Sequence, residues 1–498
     1  MSCFDVIVVG GGGSGLATAV SAAEQGVRVC VLEKQAAPGG TTGIAVGSFT
    51  SNRTRFQKEA GITDKLEDHV IDAGRFAPPD IEQHNNAALR RFFLNHSAEA
   101  LHWLAGMGIR FQGPNPEPPN RQPRMHNAVP GAKAYIDTLV RRLQELGGSL
   151  VCGADVTELL MESGHVNGVC WKDTEGRVHR AGSRLGVVLA AGDYANAPDL
   201  IARFKGNDFQ CIEGINPHAS GDGHVLAEKA GARLLNMGVT YGPEIRFVPP
   251  ADGTFQDRLP TTGWMAQWVG WLSNRLPKRW MQPFIKRLVV TWQHPEDALF
   301  DAGAILVNQN GERFTDERRS PQREIDIARQ PNKQAYILLD ESLIERFSAW
   351  PHFISTAPEI AYAYVKDYLH LRPDLAFEAD QLHALADKRG LPAENLEKTV
   401  RQLNLDRPKD ASAALKPLSG NRWVLLGPAK AWFTTTEGGA AINESFEVLD
   451  ASGAALPGLY AVGQNGLGGQ ILWGHGLHIG WAMTSGYLLG RQFGGMRR

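Results

Sequence analysis

The feature that most constrains this chain is Gly10-Gly11-Gly12-Gly13-Ser14-Gly15, set between an apolar run and an alanine-rich segment. Phe4 to Val9 is β-branched and almost continuously apolar, the pattern of a strand buried in a parallel sheet. Leu16 to Gln25 predicts a helix ended by Gly26, and Val27 to Leu32 predicts a second strand ending in Glu33. Each glycine of the turn has a task. Gly10 permits the tight strand-to-helix turn, Gly12 lets the backbone approach a pyrophosphate, and Gly15 lets helix and strand pack closely. The helix start at Gly13 and Ser14 offers amide N–H groups and a positive dipole end to phosphates. Glu33 lies 21 residues beyond Gly12, where a carboxylate accepts bonds from a ribose diol. A glycine-rich turn alone is a weak signal. Strand, turn, helix, strand and acid in this order read as a dinucleotide site.

The chain has 498 residues, more than one core usually supports, so two or three lobes are expected. Its formal charge of −2 gives no reason to expect nucleic acid as a partner. Five cysteines are scattered with no CxxC, which suggests neither a disulfide framework nor a metal site. The first strand begins almost at once, leaving no room for a signal peptide, and there is no run of 18 uncharged apolar residues. A reduced, cytoplasmic location is the expectation.

After Glu33-Lys34 come Gly39-Gly40-Thr41-Thr42 and then Val46-Gly47-Ser48. Here the chain resembles the fumarate reductase/succinate dehydrogenase flavoprotein superfamily, which also includes the 3-ketosteroid dehydrogenases. The resemblance continues through a strand ending in Ala191-Gly192, the turn Ser220-Gly221-Asp222-Gly223, the segment Val307 to Phe314, and Gly458 to Gln464, where the family usually has Glu at the last position. It implies that Asp222 belongs to the cofactor shell and that the backbone near Val156, on a strand from Ser149, meets an adenine. It also implies a terminal helix, about His478 to Phe493 and including Ala482 and Met483, that aims its N-terminal amides at a flavin. The implied cofactor is FAD. No histidine lies between Gly39 and Ser51 to carry a covalent flavin link, so the cofactor is expected to be non-covalent. The implied fold is α/β: a discontinuous Rossmann-like FAD domain, 1–242 plus 434–498, with an inserted α+β capping domain, 243–433, and substrate between the two.

Relatives that act on fumarate grip two carboxylates with histidines and arginines. Carried over residue by residue, the resemblance places Pro321 at the arginine acid, Asp297 and Phe300 at the proton relay, and Thr435-Thr436-Glu437 at the histidine motif. Leu477 stands at the late arginine and Pro243 near the early histidine. A diacid stripped of cationic partners pays a large desolvation cost. What remains is hydride transfer between flavin N5 and a carbon beside a carbonyl, on a largely apolar, cyclic or steroid-like ketone or enone. Such chemistry needs a donor to the carbonyl oxygen and an acid or base for the α-proton. The candidates are Tyr241, Arg323, His475, His478 and Glu437. Against these stand a packed interface tyrosine, a solvated arginine, a histidine held only by backbone, and a solvated turn glutamate. Two alternatives remain: an enoate reductase using Arg323 or Arg246 as its grip, and a non-catalytic flavoprotein module. Lacking a haem-binding CxxCH or an iron–sulfur cysteine set, the chain needs a separate electron donor or acceptor.

Two segments remain. Gly113 to Pro119 holds four prolines and reads as a surface loop. Trp264 to Trp292 holds five of the 12 tryptophans with Arg275, Lys278, Arg279, Lys286 and Arg287, and no acid. It reads as a helix packed on its own domain or on a second subunit, as an apolar gate for the substrate, or as a peripheral contact with an anionic membrane.

Overall fold

The computed structural model describes residues 2–250, 259–273, 278–407 and 415–496. Its first sheet is built on the strand Ser2–Val9, flanked in parallel by Val29–Glu33 and Val178–Leu189. Parallel neighbours Ser149–Cys152 and Ala455–Ala461 extend it on either side. Val6, Ile7 and Val8 are fully buried at its centre, as the apolar run requires. The helix Gly13–Glu24 lies against this sheet and is almost entirely buried. The stretch expected as one strand from Ser149 to Val156 is two, Ser149–Cys152 and Asp155–Glu162, separated by Gly153 at φ +71°. The second of these joins an antiparallel flap with His165–Lys172 and Val178–Leu189.

The terminal helix, Leu477–Met496, packs on Gly13–Glu24 through glycines. A Cβ on Gly486 would lie 2.5 Å from Ser14 O, and one on Gly490 would lie 2.6 Å from Thr18 O. This contact brings residues more than 450 positions apart in the chain into one layer, with Ser21 Oγ donating to Tyr487 O at 2.7 Å.

A second sheet centres on the long strand Trp423–Phe433. It carries Glu244–Phe247, Ala335–Leu339 and Ala376–Ala379 as antiparallel partners, with Ile305–Val307 beyond Ala335–Leu339. Its core also takes Tyr194, Ala195, Ile201 and Ile212, and Glu213–Gly214 pairs in parallel with Trp432–Phe433. The second unit therefore draws on residues well before 243. The reason is burial: this segment's apolar side chains face the second core rather than the first. Two short ladders stitch the units together, Thr240–Tyr241 with Thr435–Thr436 and Leu234–Leu235 with Gly439–Ala440.

The proline-rich segment departs from its expectation only at its start, since 116–119 is loop and turn. Arg110–Asn115 is a strand paired with Met125–Val129, which in turn pairs with Ser48–Thr50. A register shift between Gln112 and Asn115 accommodates the first proline. Among the tryptophans, Trp268 and Trp271 lie on the helix Gly263–Ser273 and are exposed, with ring centroids 5.6 Å apart. Arg275 and the side chains of Trp264, Lys278, Arg279, Trp280 and Trp292 lie outside the described residues. Lys286 pairs with Asp367 at 2.9 Å. Among the described residues no helix is long and apolar enough to cross a membrane.

Replacing Gly490 by Ala should lower stability by about 2 kcal/mol, because the added methyl overpacks a backbone-to-backbone contact. Urea unfolding checks this; an unchanged midpoint would mean that the two helices are not held at this distance.

Candidate active site

Two helix starts meet beside the first glycine turn. Gly12 forms a parallel bridge with Gly39, and neither the helix from Gly13 nor the short helix Gly40–Ile44 has a side-chain cap. Gly10 sits at φ +109°, and a Cβ there would collide with the backbone of Ala190 and Ala191. At Gly12, by contrast, a Cβ would meet only Gly39 O at 3.9 Å and Gly40 Cα at 4.0 Å. Protein packing therefore does not demand a glycine at position 12, whereas a phosphate seated against these amides does. Ser14, Gly463 and Ala482 converge on the same place, as do Gly13, Thr42 and the Met483 methyl. Thr41 Oγ1 accepts from Asn216 Nδ2 at 2.9 Å, and Gly47 O accepts from the Tyr135 hydroxyl at 3.0 Å. Val46 beside it is exposed.

Glu33 is buried and accepts from Gly11 N at 2.6 Å and Gln35 N at 2.8 Å. Its carboxylate thus ties the glycine turn to the end of the second strand. Lys34 reaches Asp222 at 3.0 Å and Asp155 at 3.6 Å, joining the turn at 220–223 to the strand that carries Val156. Sequence reasoning missed Asn465. Its Oδ1 accepts from Ala191 N at 2.6 Å, and its Nδ2 donates to Gly192 O at 3.0 Å and contacts His224 Nδ1 at 3.2 Å. His224 Nε2 in turn donates to Gly438 O. The signal was present, since Asn465 directly follows Gly463-Gln464, but a polar residue in a glycine turn has no periodicity to mark its direction.

A second cluster lies where the two units are stitched. Glu437 is fully buried rather than solvated, and accepts from Leu472 N at 3.2 Å and contacts His478 Nε2 at 3.0 Å. His478 Nδ1 meets Gln464 Oε1 at 3.1 Å, while Gln464 Nε2 donates to Thr436 O at 3.0 Å and to Thr435 Oγ1 at 2.6 Å. Thr436 O can only accept, so the Gln464 amide is fixed and His478 Nδ1 must be a donor. The contact with Glu437 then holds a proton as well. Thr435 Oγ1 donates onward to Asp193, which burial pushes above the usual carboxylate range.

Tyr241 packs edge-on against Trp473 at 5.2 Å. Burial, reinforced by the Glu244 charge, raises its hydroxyl well above the usual tyrosine value, so it is a donor at neutral pH. No group among the described residues bonds that hydroxyl. His475, two residues after Trp473, is exposed and is held by Glu117 rather than by backbone alone, with Nδ1 to Oε1 at 2.7 Å. Glu117 comes from the proline-rich segment and is only 6% exposed; sequence reasoning missed it because proline spacing predicts a loop, not where its side chains go. Arg246 pairs with Glu244 at 2.7 Å and lies near Thr434.

Arg323 stands apart. It is buried rather than solvated, bonded to Asp297 at 2.5 Å, Glu324 at 2.6 Å and Glu317 O at 2.9 Å, and lies over the Phe300 ring. None of these partners belongs to the Tyr241–His478 group.

A family model described as an FAD binding domain matches residues 5–263 and 274–470. The chain belongs to this family. Within it, the chain falls in the fumarate reductase/succinate dehydrogenase flavoprotein superfamily, is an FAD-dependent oxidoreductase and takes FAD as its cofactor. The NADH:fumarate oxidoreductase of Klebsiella pneumoniae (strain 342) is 25% identical over 93% of this chain and 44% of its own length. This chain therefore spans less than half of that relative. The vinyl phenol reductase of Lactiplantibacillus plantarum is 24% identical over 98% of this chain and 96% of its own length. The open conformation of a flavocytochrome c3 fumarate reductase is similar in fold, with a TM-score of 0.71, 22% identity, and coverage of 99% of this chain and 78% of that one.

The uncapped helix starts at Gly13 and Gly40 and the open space at Gly12 are compatible with the pyrophosphate of FAD. Gly12→Ala should fold with unchanged stability yet purify without yellow colour, because its methyl enters only the space kept for the pyrophosphate. Absorbance at the flavin band against protein checks this; a fully yellow variant would show that the turn does not carry the cofactor.

Proposed function

We propose that this chain introduces or reduces a C–C double bond beside a carbonyl on a largely apolar ketone or enone. The observation that carries this reading is the lack, among the described residues, of a free cation where a diacid would need one. Thr435-Thr436-Glu437 replaces the histidine motif, and Glu437 is committed to His478. Arg246 is neutralised by Glu244 and Arg323 by Asp297 and Glu324, so the enoate alternative has no grip for a carboxylate. Adding an anion beside Glu117, Glu244 and Glu437 would cost further repulsion in a partly desolvated pocket. The relative named for vinyl phenol supports an uncharged alkene, and its match spans nearly its whole length.

When bound, FAD exchanges a hydride with the substrate carbon. The Tyr241 hydroxyl, unbonded among the described residues, donates to the carbonyl oxygen and stabilises the enolate charge that develops there. The second unit acts as a cap, and residues 240–241 and 435–436 at its root place Tyr241 beside Trp473 and exclude water from the site. The exposed Trp268 and Trp271 on that unit suit an apolar entry gate. Electrons come from or go to a separate donor or acceptor.

Saturated cyclic ketones should bleach the bound flavin anaerobically, or the corresponding enones should reoxidise the reduced enzyme, while succinate and fumarate do neither. Tyr241→Phe should slow this flavin step by about 100-fold, the loss expected for one oxyanion donor. Brisk turnover of fumarate, or an unaffected Tyr241→Phe variant, would overturn the assignment.

A further inference from the structure

We infer that Glu117 is a positioning residue for His475, fixing its Nδ1–H so that the outer nitrogen, Nε2, exchanges the α-proton with substrate. The inference rests on the proposed reaction for the role of Nε2, and on geometry alone for the role of Glu117. One carboxylate oxygen, Glu117 Oε1, accepts both the backbone N–H of His475 at 2.8 Å and its ring Nδ1 at 2.7 Å. An ionised carboxylate only accepts, so Nδ1 is the protonated nitrogen whether the ring is neutral or charged. Nε2 has no partner among the described residues. The side chain of Glu117 is 6% exposed and that of His475 54%, so the carboxylate sits inside and the imidazole presents its outer edge. A carboxylate behind an imidazole is the arrangement that selects one tautomer and stabilises the imidazolium when it forms.

Glu117 is itself held. Its backbone carbonyl accepts from Asn120 N at 2.9 Å, and Asn120 Oδ1 accepts from Arg124 at 2.9 Å. Arg124 is fully buried and bridges Asp64 and Asp72 at 2.7 Å each. Burial alone would raise both acids, but the bonds from Arg124 outweigh it and keep them below the usual range. From the other side, Thr50 Oγ1 donates to His475 O at 2.6 Å. The imidazole is thus clamped at its backbone and one nitrogen, beside the Trp473 that packs on Tyr241.

In the oxidative direction the substrate loses a hydride from the β-carbon to bound FAD and a proton from the α-carbon to Nε2. The electron pair left by the α-C–H bond becomes the new C=C bond, so the substrate is oxidised by two electrons and the coenzyme reduced by two. In the reductive direction the same nitrogen returns the proton. The charged groups facing His475 are Glu117 from the proline-rich segment and Glu244 and Arg246 from the strand Glu244–Phe247. Desolvation pulls the imidazole down, but the Glu117 bond and charge more than reverse it, so His475 titrates above the usual histidine value.

The test uses the holoenzyme and stopped-flow reduction of its flavin by a saturated cyclic ketone from about pH 5 to about pH 9. In the wild type the rate should rise with pH as His475 loses its proton. Glu117→Gln should move that limb to lower pH and cut the limiting rate by about 10- to 100-fold with little change in KM. Glu117→Asp should restore the limb's position in part. A limb that stays in place overturns the inference, whether the rate falls, as for a merely structural residue, or holds. If Glu117→Gln does not fold, ¹⁵N-histidine NMR of the wild-type holoenzyme decides, with the His475 signal assigned by its loss in His475→Gln. A neutral ring carrying its proton on Nδ1 supports the inference, and one carrying it on Nε2 overturns it. The tautomer is read without substrate, so failure of the ketone reaction with Nδ1–H intact counts against the proposed reaction, not against Glu117.

Discussion

The molecule depends on two helices approaching at backbone distance. The terminal helix can lie on Gly13–Glu24 only because Gly486 and Gly490 lack side chains where Ser14, Thr18 and Ala22 stand. That contact sets the late turn at Gly463 beside Ser14, and Trp481 and Ser485 then pin Gly463 by its carbonyl and amide. From there the chain runs directly through Gln464 and Asn465 into the segment bearing His475 and His478. The first glycine turn and the segment bearing His475 and His478 are thus two ends of one packed layer.

The second theme is a set of internally paired acids. Glu437 with His478, Glu117 with His475 and Glu244 with Arg246 form three close pairs around Tyr241 and Trp473. Each pair satisfies itself, which is how buried carboxylates persist without a bound cation. A pocket arranged this way offers hydrogen bonds rather than net positive charge. The flavocytochrome c3 fumarate reductase is similar to this chain in fold.

Much of the first unit was legible because glycine spacing and apolar runs report backbone constraints directly. Gly10, Gly12, Gly15 and Glu33 are such cases, and a dinucleotide site was read from them; the family and FAD came instead from the resemblance that starts at Gly39-Gly40-Thr41-Thr42 and runs on to Gln464. The split at Gly153 escaped notice because one glycine in an apolar run signals no direction. Glu437 read equally as a solvated turn, since its flanking Gly438-Gly439 is a turn signature; its burial comes from Leu472 and His478, about 40 residues away. Glu117 was invisible for the same reason, as proline content predicts irregular backbone while its partner lies 358 positions downstream. Arg323 was noticed for its place near the lost acid, and its burial among Asp297 and Glu324 is a tertiary fact.

The most direct test of the central claim is binding at the flavin face. Difference spectra of the oxidised holoenzyme, titrated separately with a neutral cyclic enone and with fumarate, report occupancy without requiring turnover. The account expects a saturable perturbation of the flavin band by the enone and none by fumarate. A saturable response to fumarate with silence toward enones would contradict it.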